Sequence, residues 1–309
     1  MADTKWIPGL KPDMPVRDAA QRVLAVRIGH VLERLPAAVE RPEEDVEHVH
    51  QLRVNTRRAG AAVRIFAESL PAGLHRRLRK SLKTVRRAAG AARDWDVFLE
   101  TIVARQRRRT SNHQAGLDFL SGFGHGHRAQ AQEHLLEATA GQGDKLKRCL
   151  DELSEVVHDG TQTLRDLAIP MLTTLQQEFE RAARGDLQAY EALHQVRIKG
   201  KQLRYAMELF ETCFHAAFRL RVYPSIADMQ EILGNANDSH VATLMLDQLR
   251  SHLERTQPAA WKRYRPVLEA LALYHRRRLP KQRKLFETWW DKWQTTGLSA
   301  ALVKWLQAG

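Results

Sequence analysis

Apolar residues recur at three- and four-residue steps along almost all of the 309-residue chain. This spacing puts them on one face of an α-helix, and the abundance of Ala, Leu, Glu, Arg and Gln, which form helices readily, supports the same interpretation. The alternating patterns typical of β-strands are almost absent. The sequence therefore predicts an all-α fold. The predicted helices span roughly residues 16–39, 43–69, 74–90, 94–109, 114–139, 144–185, 187–214, 220–234, 238–255, 258–278 and 280–295.

Proline and glycine residues mark the expected ends of these helices. Pro42 suits the first position of a helix, because acidic residues follow it where the helix dipole favours negative charge. The turn at residues 71–73 and the glycine at position 90 are expected to divide the next segment into two helices. The long predicted helix that contains Gly160 and Pro170 is expected to be interrupted, because both residue types disfavour a helix interior.

The chain also contains an internal repeat. The stretch HQLRVNTR, which begins at His50, resembles HQVRIKGKQLR, which begins at His194, and the offset is 144 residues. The matching pairs at this offset are His50 and His194, Gln51 and Gln195, Arg53 and Arg197, Arg57 and Lys201, Phe66 and Phe210, Gly90 and Gly234, Asp94 and Asp238, and Val97 and Val241. Because one offset relates more than a single motif, the sequence predicts two similar helical halves.

The repeated stretches place cations on one side of a helix and apolar residues on the other. At about 100° per residue, His50, Arg53, Arg57 and Arg64 fall in one stripe roughly 80° wide. His194, Arg197, Lys201 and Arg204 form the equivalent stripe in the second half. The helix after the first stripe has a similar cationic face, formed by Arg76, Arg79, Lys83, Arg86 and Arg87. An antiparallel helix pair can therefore present two cationic faces to one ligand.

The charge of the chain favours a polyanionic partner. Lys and Arg exceed Asp and Glu by 13 in the whole chain, and residues 53–109 hold sixteen of the basic residues against four acidic ones. A solvated face normally mixes both signs, so a local excess of this kind indicates a surface for anions. Cations repeated at each helical turn suit a row of phosphates better than one isolated anion. In the second half, Glu208 and Glu211 are expected to dilute the positive charge.

Several classes of function are not supported by the sequence. No stretch of about 18 residues is apolar enough to span a bilayer, and the first residues lack a signal-peptide pattern, so a cytoplasmic location is expected. The only cysteines, Cys149 and Cys213, lack the spacing of a zinc motif. His48 and His50 would point in different directions from a helix, which argues against a metal there. No phosphate-binding loop and no carboxylate cluster for magnesium occur, so no cofactor, metal ion or catalytic residue is predicted.

Four motifs in this order resemble the CHAD domain, the conserved histidine α-helical domain. They are HQLRVNTRRAGAAVRIF, LKTVRRAAGAARDWDVFLE, HQVRIKGKQLRYAMELF and MQEILGNANDSHVA. The resemblance implies two antiparallel helical bundles related by a pseudo-twofold axis, with a basic cavity or groove between them. It also implies that the chain binds inorganic polyphosphate, and several members of the family associate with polyphosphate granules. CHAD domains are often joined to a CYTH domain, a metalloenzyme that processes triphosphates, but nothing in this chain resembles one.

The resemblance adds positions to those found from the helical stripes. It carries Arg93, Asp94 and Asp96 over to the site, and it supports Lys83. The predicted polyphosphate-binding residues are His50, Arg53, Arg57, Arg64, Arg79, Lys83, Arg86, Arg93, His194, Arg197, Lys201 and Arg204. The second copy departs from the first at Asn237 and His240, which stand where Arg93 and Asp96 do. The two halves are therefore not expected to contribute equally.

The predicted organisation is a tail at residues 1–15, a CHAD-like domain at 16–295 and a helical tail at 296–309. Within the domain, the halves are placed at about 16–140 and 160–295. The predicted function is non-catalytic polyphosphate binding. A nucleic-acid-binding helical protein is the main alternative, and a polyphosphate-hydrolysing enzyme is a distant third.

Four further features have ordinary structural interpretations. Asp94 and Asp238 each follow a glycine-containing break, so both are expected to cap the start of a helix. The RQRRR stretch at 105–109 is expected to close a helix and face solvent. The basic stretch at 275–284 could line the same cavity or bind acidic groups elsewhere. Trp289, Trp290, Trp293 and Trp305 are expected to pack in the interior.

Overall fold

The computed structural model describes residues 5–107, 113–155 and 161–307. Its α-helices are α1 (Val16–Glu40), α2 (Glu47–Ile65), α3 (Ala72–Gln106), α4 (Gln114–Thr139), α5 (Gln142–Glu155), α6 (Leu164–Ala183), α7 (Tyr190–Phe210), α8 (Tyr223–Thr256), α9 (Pro258–Thr295) and α10 (Leu298–Gln307). No strand occurs in these ranges, where an isolated bridge joins Pro15 and Thr163. The all-α prediction is confirmed.

Three predicted helix breaks are wrong, because α3, α8 and α9 run through Gly90, Gly234 and Pro280 without interruption. A single glycine in a helix costs only about 1 kcal/mol relative to alanine. Burial of the apolar faces on both sides of each glycine outweighs that cost. Asp94 and Asp238 consequently lie inside long helices, so the prediction that they cap helix starts is also wrong.

Two other helix boundaries have clear local causes. The expectation that Pro42 takes the first position of a helix is wrong, because residues 42–44 form a turn and α2 begins at Glu47. The backbone N–H of Glu47 donates to the Asp45 carboxylate at 2.8 Å, which fixes this later start. The predicted interruption of the 144–185 segment is confirmed, since α5 ends at Glu155 and α6 starts at Leu164. Thr163 caps α6 by exchanging hydrogen bonds with Asp166. Gly160 lies outside the described residues, and Pro170 is accommodated inside α6.

The helix bounds follow the offset found in the sequence. Shifting α2 by 144 residues gives 191–209, which matches α7, and shifting α1, α3 and α4 in the same way gives ranges that overlap α6, α8 and α9. The order of helices is thus the same in both parts of the chain. The pseudo-twofold axis between the two halves stays a prediction.

Two hydrophobic cores hold the helices together. The larger one takes in the N-terminal parts of α3 and α8 together with α1, α2, α6 and α7. The smaller one lies where the C-terminal parts of α3 and α8 pack against α4 and α9, around Phe98, Leu120, Leu246 and Leu271. Trp289 and Trp293 are buried and stack with ring centroids 5.4 Å apart, and Trp290 and Trp305 pack half-buried against the larger core. The prediction that these tryptophans pack in the interior is confirmed.

Segments on both sides of the predicted domain also enter the larger core. Ile7 and Leu10 precede α1, and Leu302 and Leu306 belong to α10, and all four side chains are buried. In the described part of the chain, no helix combines the length and apolar content needed to cross a bilayer.

A buried carboxylate joins helices from both parts of the chain. Glu208 on α7 is 1% exposed, and it accepts hydrogen bonds from Arg58 Nε of α2 and Tyr223 Oη of α8, each at 2.9 Å. Arg27 of α1 lies 3.7 Å and Arg204 of α7 3.8 Å from the same carboxylate. Burial lowers the pKa of Arg27 to about 10, and the charge of Glu208 opposes that shift. Glu208 therefore neutralises arginines inside the protein.

The expectation that Glu208 and Glu211 dilute a cationic surface needs correction. Glu208 points into the interior, where the arginines around it take up its charge. Glu211 pairs instead with Arg219 at 3.1 Å, beyond the end of α7. Helix periodicity could place Glu208 on one face of α7, but it could not predict that the side chain is buried.

Glu208→Gln is expected to lower the free energy of unfolding by about 3–5 kcal/mol, because it leaves buried arginines without their counter-charge. Chemical denaturation measures this loss. The matched control is Glu211→Gln, which removes a partly exposed pair and is expected to cost about 1 kcal/mol or less. Equal losses in the two variants would contradict the role given to Glu208.

Candidate anion-binding groove

A cavity of about 410 Å³ lies where α2, α3, α7 and α8 meet, and we call it the groove. Helices α2 and α7 place their cationic stripes on it because their opposite faces are anchored in the larger core by Leu52, Phe66, Leu203 and Phe210. Seven of the predicted site residues line the groove: His50, Arg53, Arg57, Arg93, Arg197, Lys201 and Arg204. The two repeated stretches thus contribute to a single cavity.

The remaining five predicted residues do not line the groove. Arg64 is near enough to Arg86 and Arg79 for their charges, after burial, to lower its pKa. The charge of Arg86 also lowers the pKa of Arg57. Arg64, Arg79 and Arg86 therefore extend the positive charge of the groove along α2 and α3. Lys83 is exposed on the same face of α3. His194 lies nearby, with its Nδ1 3.3 Å from the hydroxyl of Tyr190.

The groove holds cations that have no carboxylate partner. Arg53 pairs with Asp94 at 3.0 Å, and Arg93 pairs with Glu100 at 2.9 Å. Arg57, Arg197 and Lys201 form no ion pair with any residue that the structure describes. Two exposed acidic residues, Glu231 and Asp238, also line the groove, and the charge of Asp238 opposes the lowering of the Arg197 pKa by burial, but neither forms an ion pair with these three cations.

Lys201 lies at the centre of this cluster. Burial, and then the charges of Arg57, Arg197, Arg53 and Arg204, lower the pKa of its amine to about 5. Burial followed by the charge of Arg53 lowers the pKa of Arg57 to about 10. Desolvation and crowding of like charges both disfavour the protonated forms. A bound anion would remove the repulsion and favour protonated Lys201.

The histidines beside the groove are affected by the same burial and positive charges. Burial is the main cause that lowers the pKa of His50, and the charges of Arg93, Arg53 and Arg57 add to it. Burial followed by Arg197 and Lys201 lowers the pKa of His194. At neutral pH, both rings are therefore neutral and can each donate one hydrogen bond.

Asp238 lines the groove, and Asp94 lies beside it in an ion pair with Arg53. Burial raises the pKa of Asp94, and the charge of Asp238 adds to the shift while Arg53 opposes it. Asp96, the third acidic position suggested by the resemblance, does not reach the groove. It is buried and accepts a hydrogen bond from Arg128 Nε of α4 at 2.5 Å, so it fastens α4 to α3.

The second half differs where its sequence departs from the first. Tyr190 stacks on His240 with ring centroids 3.6 Å apart, and its hydroxyl donates to Asn237 at 3.3 Å. In the first half, the equivalent positions carry Arg93 and Asp96. The second half thus has an aromatic stack beside the groove at positions where the first half has an ion-paired arginine.

Sequence reasoning missed Tyr205 and Gln230, which also line the groove. Tyr205 is eleven residues after His194 on the same helix, and this spacing returns it to within about 20° of the cationic stripe. The helical wheel could therefore have found it. Gln230 belongs to α8 and donates to the carbonyl of Arg197 at 3.3 Å, a contact between helices that no local pattern indicates.

Comparisons with known proteins identify one family and two solved structures with a similar fold. The family model described as "CHAD domain" matches residues 22–247. The crystal structure of the CHAD domain from the plant Ricinus communis has a TM-score of 0.70 and 24% sequence identity, and the alignment covers 88% of this chain and 89% of that one. PptA from Streptomyces chartreusis has a TM-score of 0.70 and 18% identity, with 89% and 99% covered. No curated protein sequence matches this chain.

Lys201→Met is expected to raise the melting temperature in anion-free buffer. Because the folded pKa of Lys201 lies below its unfolded value, the unfolded chain binds more protons between these two pKa values, and stability falls as the pH drops through that interval. The gain should therefore be larger at about pH 6 than at about pH 9.

Thermal melts of wild type and variant at both pH values test this expectation. The matched control is Lys80→Met, which changes an exposed lysine on α3. A melting temperature that falls in Lys201→Met, or a gain that does not depend on pH, would contradict a crowded, partnerless amine at position 201.

Proposed function

Since the chain belongs to the CHAD domain family, we propose that it binds inorganic polyphosphate in the groove. One observation carries this proposal: Arg57 of α2, with Arg197 and Lys201 of α7, line one cavity without carboxylate partners among the described residues. Self-repulsion of this kind is costly unless an anion relieves it. A chain of phosphates can contact α2 and α7 at the same time, whereas one small anion reaches fewer of these cations.

The character of the groove favours polyphosphate over nucleic acid. Phosphates joined through a single oxygen carry charge more densely than phosphates separated by sugars, and they suit closely grouped cations. Single-stranded nucleic acid is usually held on exposed aromatic side chains that stack with bases. Tyr205 is the aromatic residue among the described groove residues, and it is 6% exposed with the Arg204 guanidinium over its ring, 5.1 Å from the centroid.

A basic face extends the path beyond the groove. Arg79, Lys83 and Arg86 are exposed at successive turns of α3, and Arg64 of α2 lies close to them. The influence of Arg86 on the pKa of Arg57 connects this face with the groove. We propose that a polyphosphate chain longer than the groove continues along this face.

We propose binding without hydrolysis. Cleavage of phosphoanhydrides usually needs carboxylates that hold a divalent cation. Asp94, beside the groove, is already paired with Arg53. In the part of the chain that the structure describes, no three His, Cys, Asp or Glu side chains are grouped to hold a metal ion.

The resemblance to CHAD domains further supports a cytoplasmic role at polyphosphate granules.

The two walls of the groove can be tested separately with Arg57→Gln and Arg197→Gln. Neither arginine has an ion-pair partner among the described residues, so each change should leave no buried acid uncompensated. Loss of one charge-assisted contact is expected to weaken binding of long polyphosphate about tenfold or more. The double variant should approach the weak affinity of a short oligophosphate, because both contacts made by one chain are lost.

A titration of each variant over a series of polyphosphate lengths measures this coupling. Arg255→Gln is the control, since Arg255 is exposed near the end of α8 and does not line the groove. Similar losses are expected for the two single variants, because Arg57 and Arg197 both line the groove without an ion-pair partner among the described residues. If Arg197→Gln binds every length as wild type does, the two-wall site is wrong.

A further inference from the structure

A second cavity of about 310 Å³ lies between the C-terminal part of α3 and helices α8 and α9. We call it the side cavity. It shares Arg93, Val97 and Asp238 with the groove, so the two spaces adjoin at these residues. Its inner wall is the smaller hydrophobic core. The start of the 275–284 basic stretch lines this side cavity rather than the groove.

His275 forms part of the inner wall. It is only 3% exposed, and neither of its ring nitrogens has a hydrogen-bonding partner among the described residues. Burial, and then the charges of Arg278 and Arg105, lower its pKa to about 4, so the ring is neutral at neutral pH. A neutral imidazole has one N–H donor and one acceptor nitrogen. Leaving both unused in the interior costs free energy that a polar ligand in the side cavity would recover.

Two arginines are held beside this histidine by one tyrosine. Arg278 Nη1 donates to the Tyr274 hydroxyl at 2.7 Å, and the Arg105 guanidinium lies over the Tyr274 ring, 4.1 Å from its centroid. Both arginines line the side cavity. The 105–109 stretch closes α3 as expected, and Arg107 is exposed, but Arg105 is half-buried against the side cavity and does not face solvent. Arg108 and Arg109 lie outside the described residues. A guanidinium fixed in this way is suited to bind a phosphate oxygen.

The acidic residues of the side cavity limit the charge that it can accept. Asp94 is paired with Arg53 and Glu100 with Arg93, so both carboxylates are largely neutralised. Asp238 is exposed and faces both spaces. The side cavity thus combines a few cationic donors with a nearby carboxylate, a balance that fits one phosphate better than a long polyanion.

We propose that the side cavity binds a single phosphate group, with His275 and Arg278 donating hydrogen bonds to its oxygens. Two sources share this chemistry. One is free orthophosphate, and the other is the terminal phosphate of a chain that lies in the groove and reaches past Arg93. The second source rests on the proposed function, whereas the first does not.

Nuclear magnetic resonance of the imidazole nitrogens in the full chain tests the proposal. Titration with orthophosphate is expected to shift the ring signals of His275, which are assigned by their loss in His275→Asn. Arg278→Gln should weaken this response about tenfold or more, since one charge-assisted hydrogen bond is lost. The matched control is Arg277→Gln, an exposed neighbour on the same helix, which should respond as wild type does.

A second titration with long polyphosphate distinguishes the two sources. If long polyphosphate shifts the His275 signals in wild type but not in the Arg57→Gln, Arg197→Gln double variant, the side cavity binds the terminal phosphate of a chain held in the groove. A response to orthophosphate that survives in that variant assigns it to the free ion, and this result would stand even if the groove bound no polyphosphate. If neither ligand shifts the His275 signals while wild type remains folded, or if Arg277→Gln weakens the response as much as Arg278→Gln does, the proposal is wrong.

Discussion

The groove depends on one buried carboxylate. Glu208 forms ion pairs with Arg27 of α1, Arg58 of α2 and Arg204 of α7. It also accepts a hydrogen bond from Tyr223 of α8, so this one carboxylate connects α1 and α2 with α7 and α8. Moving these helices apart would leave the buried Glu208 carboxylate and the arginines around it without their opposite charge, which makes the relative position of the helices costly to change. That constraint holds α2 and α7 with their cationic stripes on the same cavity. The acid that appeared in the sequence to weaken the second stripe is the group that positions it.

Charge is distributed differently beneath the groove and within it. Beneath it, Arg27 and Arg58 surround a carboxylate in the interior. Within it, Arg57, Arg197 and Lys201 form no ion pair with the described residues. Burial and crowding of charge lower the pKa of Lys201 to about 5, so its amine is uncharged at neutral pH. Free energy of folding is thus spent on a site whose repulsion only an anion relieves, a trade between stability and binding that is common at functional sites. The buried network compensates by fixing the helices that carry the cations.

Much of this architecture could be predicted from the sequence, because helix periodicity is a local property. The stripes at His50 and His194 and the apolar faces opposite them were predicted from spacing alone, and the offset of 144 residues correctly relates the helices of the two halves. Contacts between helices were not predictable in this way. The spacing could not show that Gly90 and Gly234 lie inside long helices, that Asp94 pairs with Arg53, or that His275 is buried beside a second cavity. These features depend on which helices meet in three dimensions.

The central claim is that the crowded cations of the groove select polyphosphate, and a direct competition tests it. The affinity of the protein for long polyphosphate is compared with its affinity for single- and double-stranded nucleic acid, at equal phosphate concentration and an ionic strength of about 0.15 M. The groove, with its dense charge and its single, buried aromatic residue among the described positions, predicts clear preference for polyphosphate. Equal or tighter binding of nucleic acid would contradict the account and would identify the chain as a nucleic-acid-binding protein.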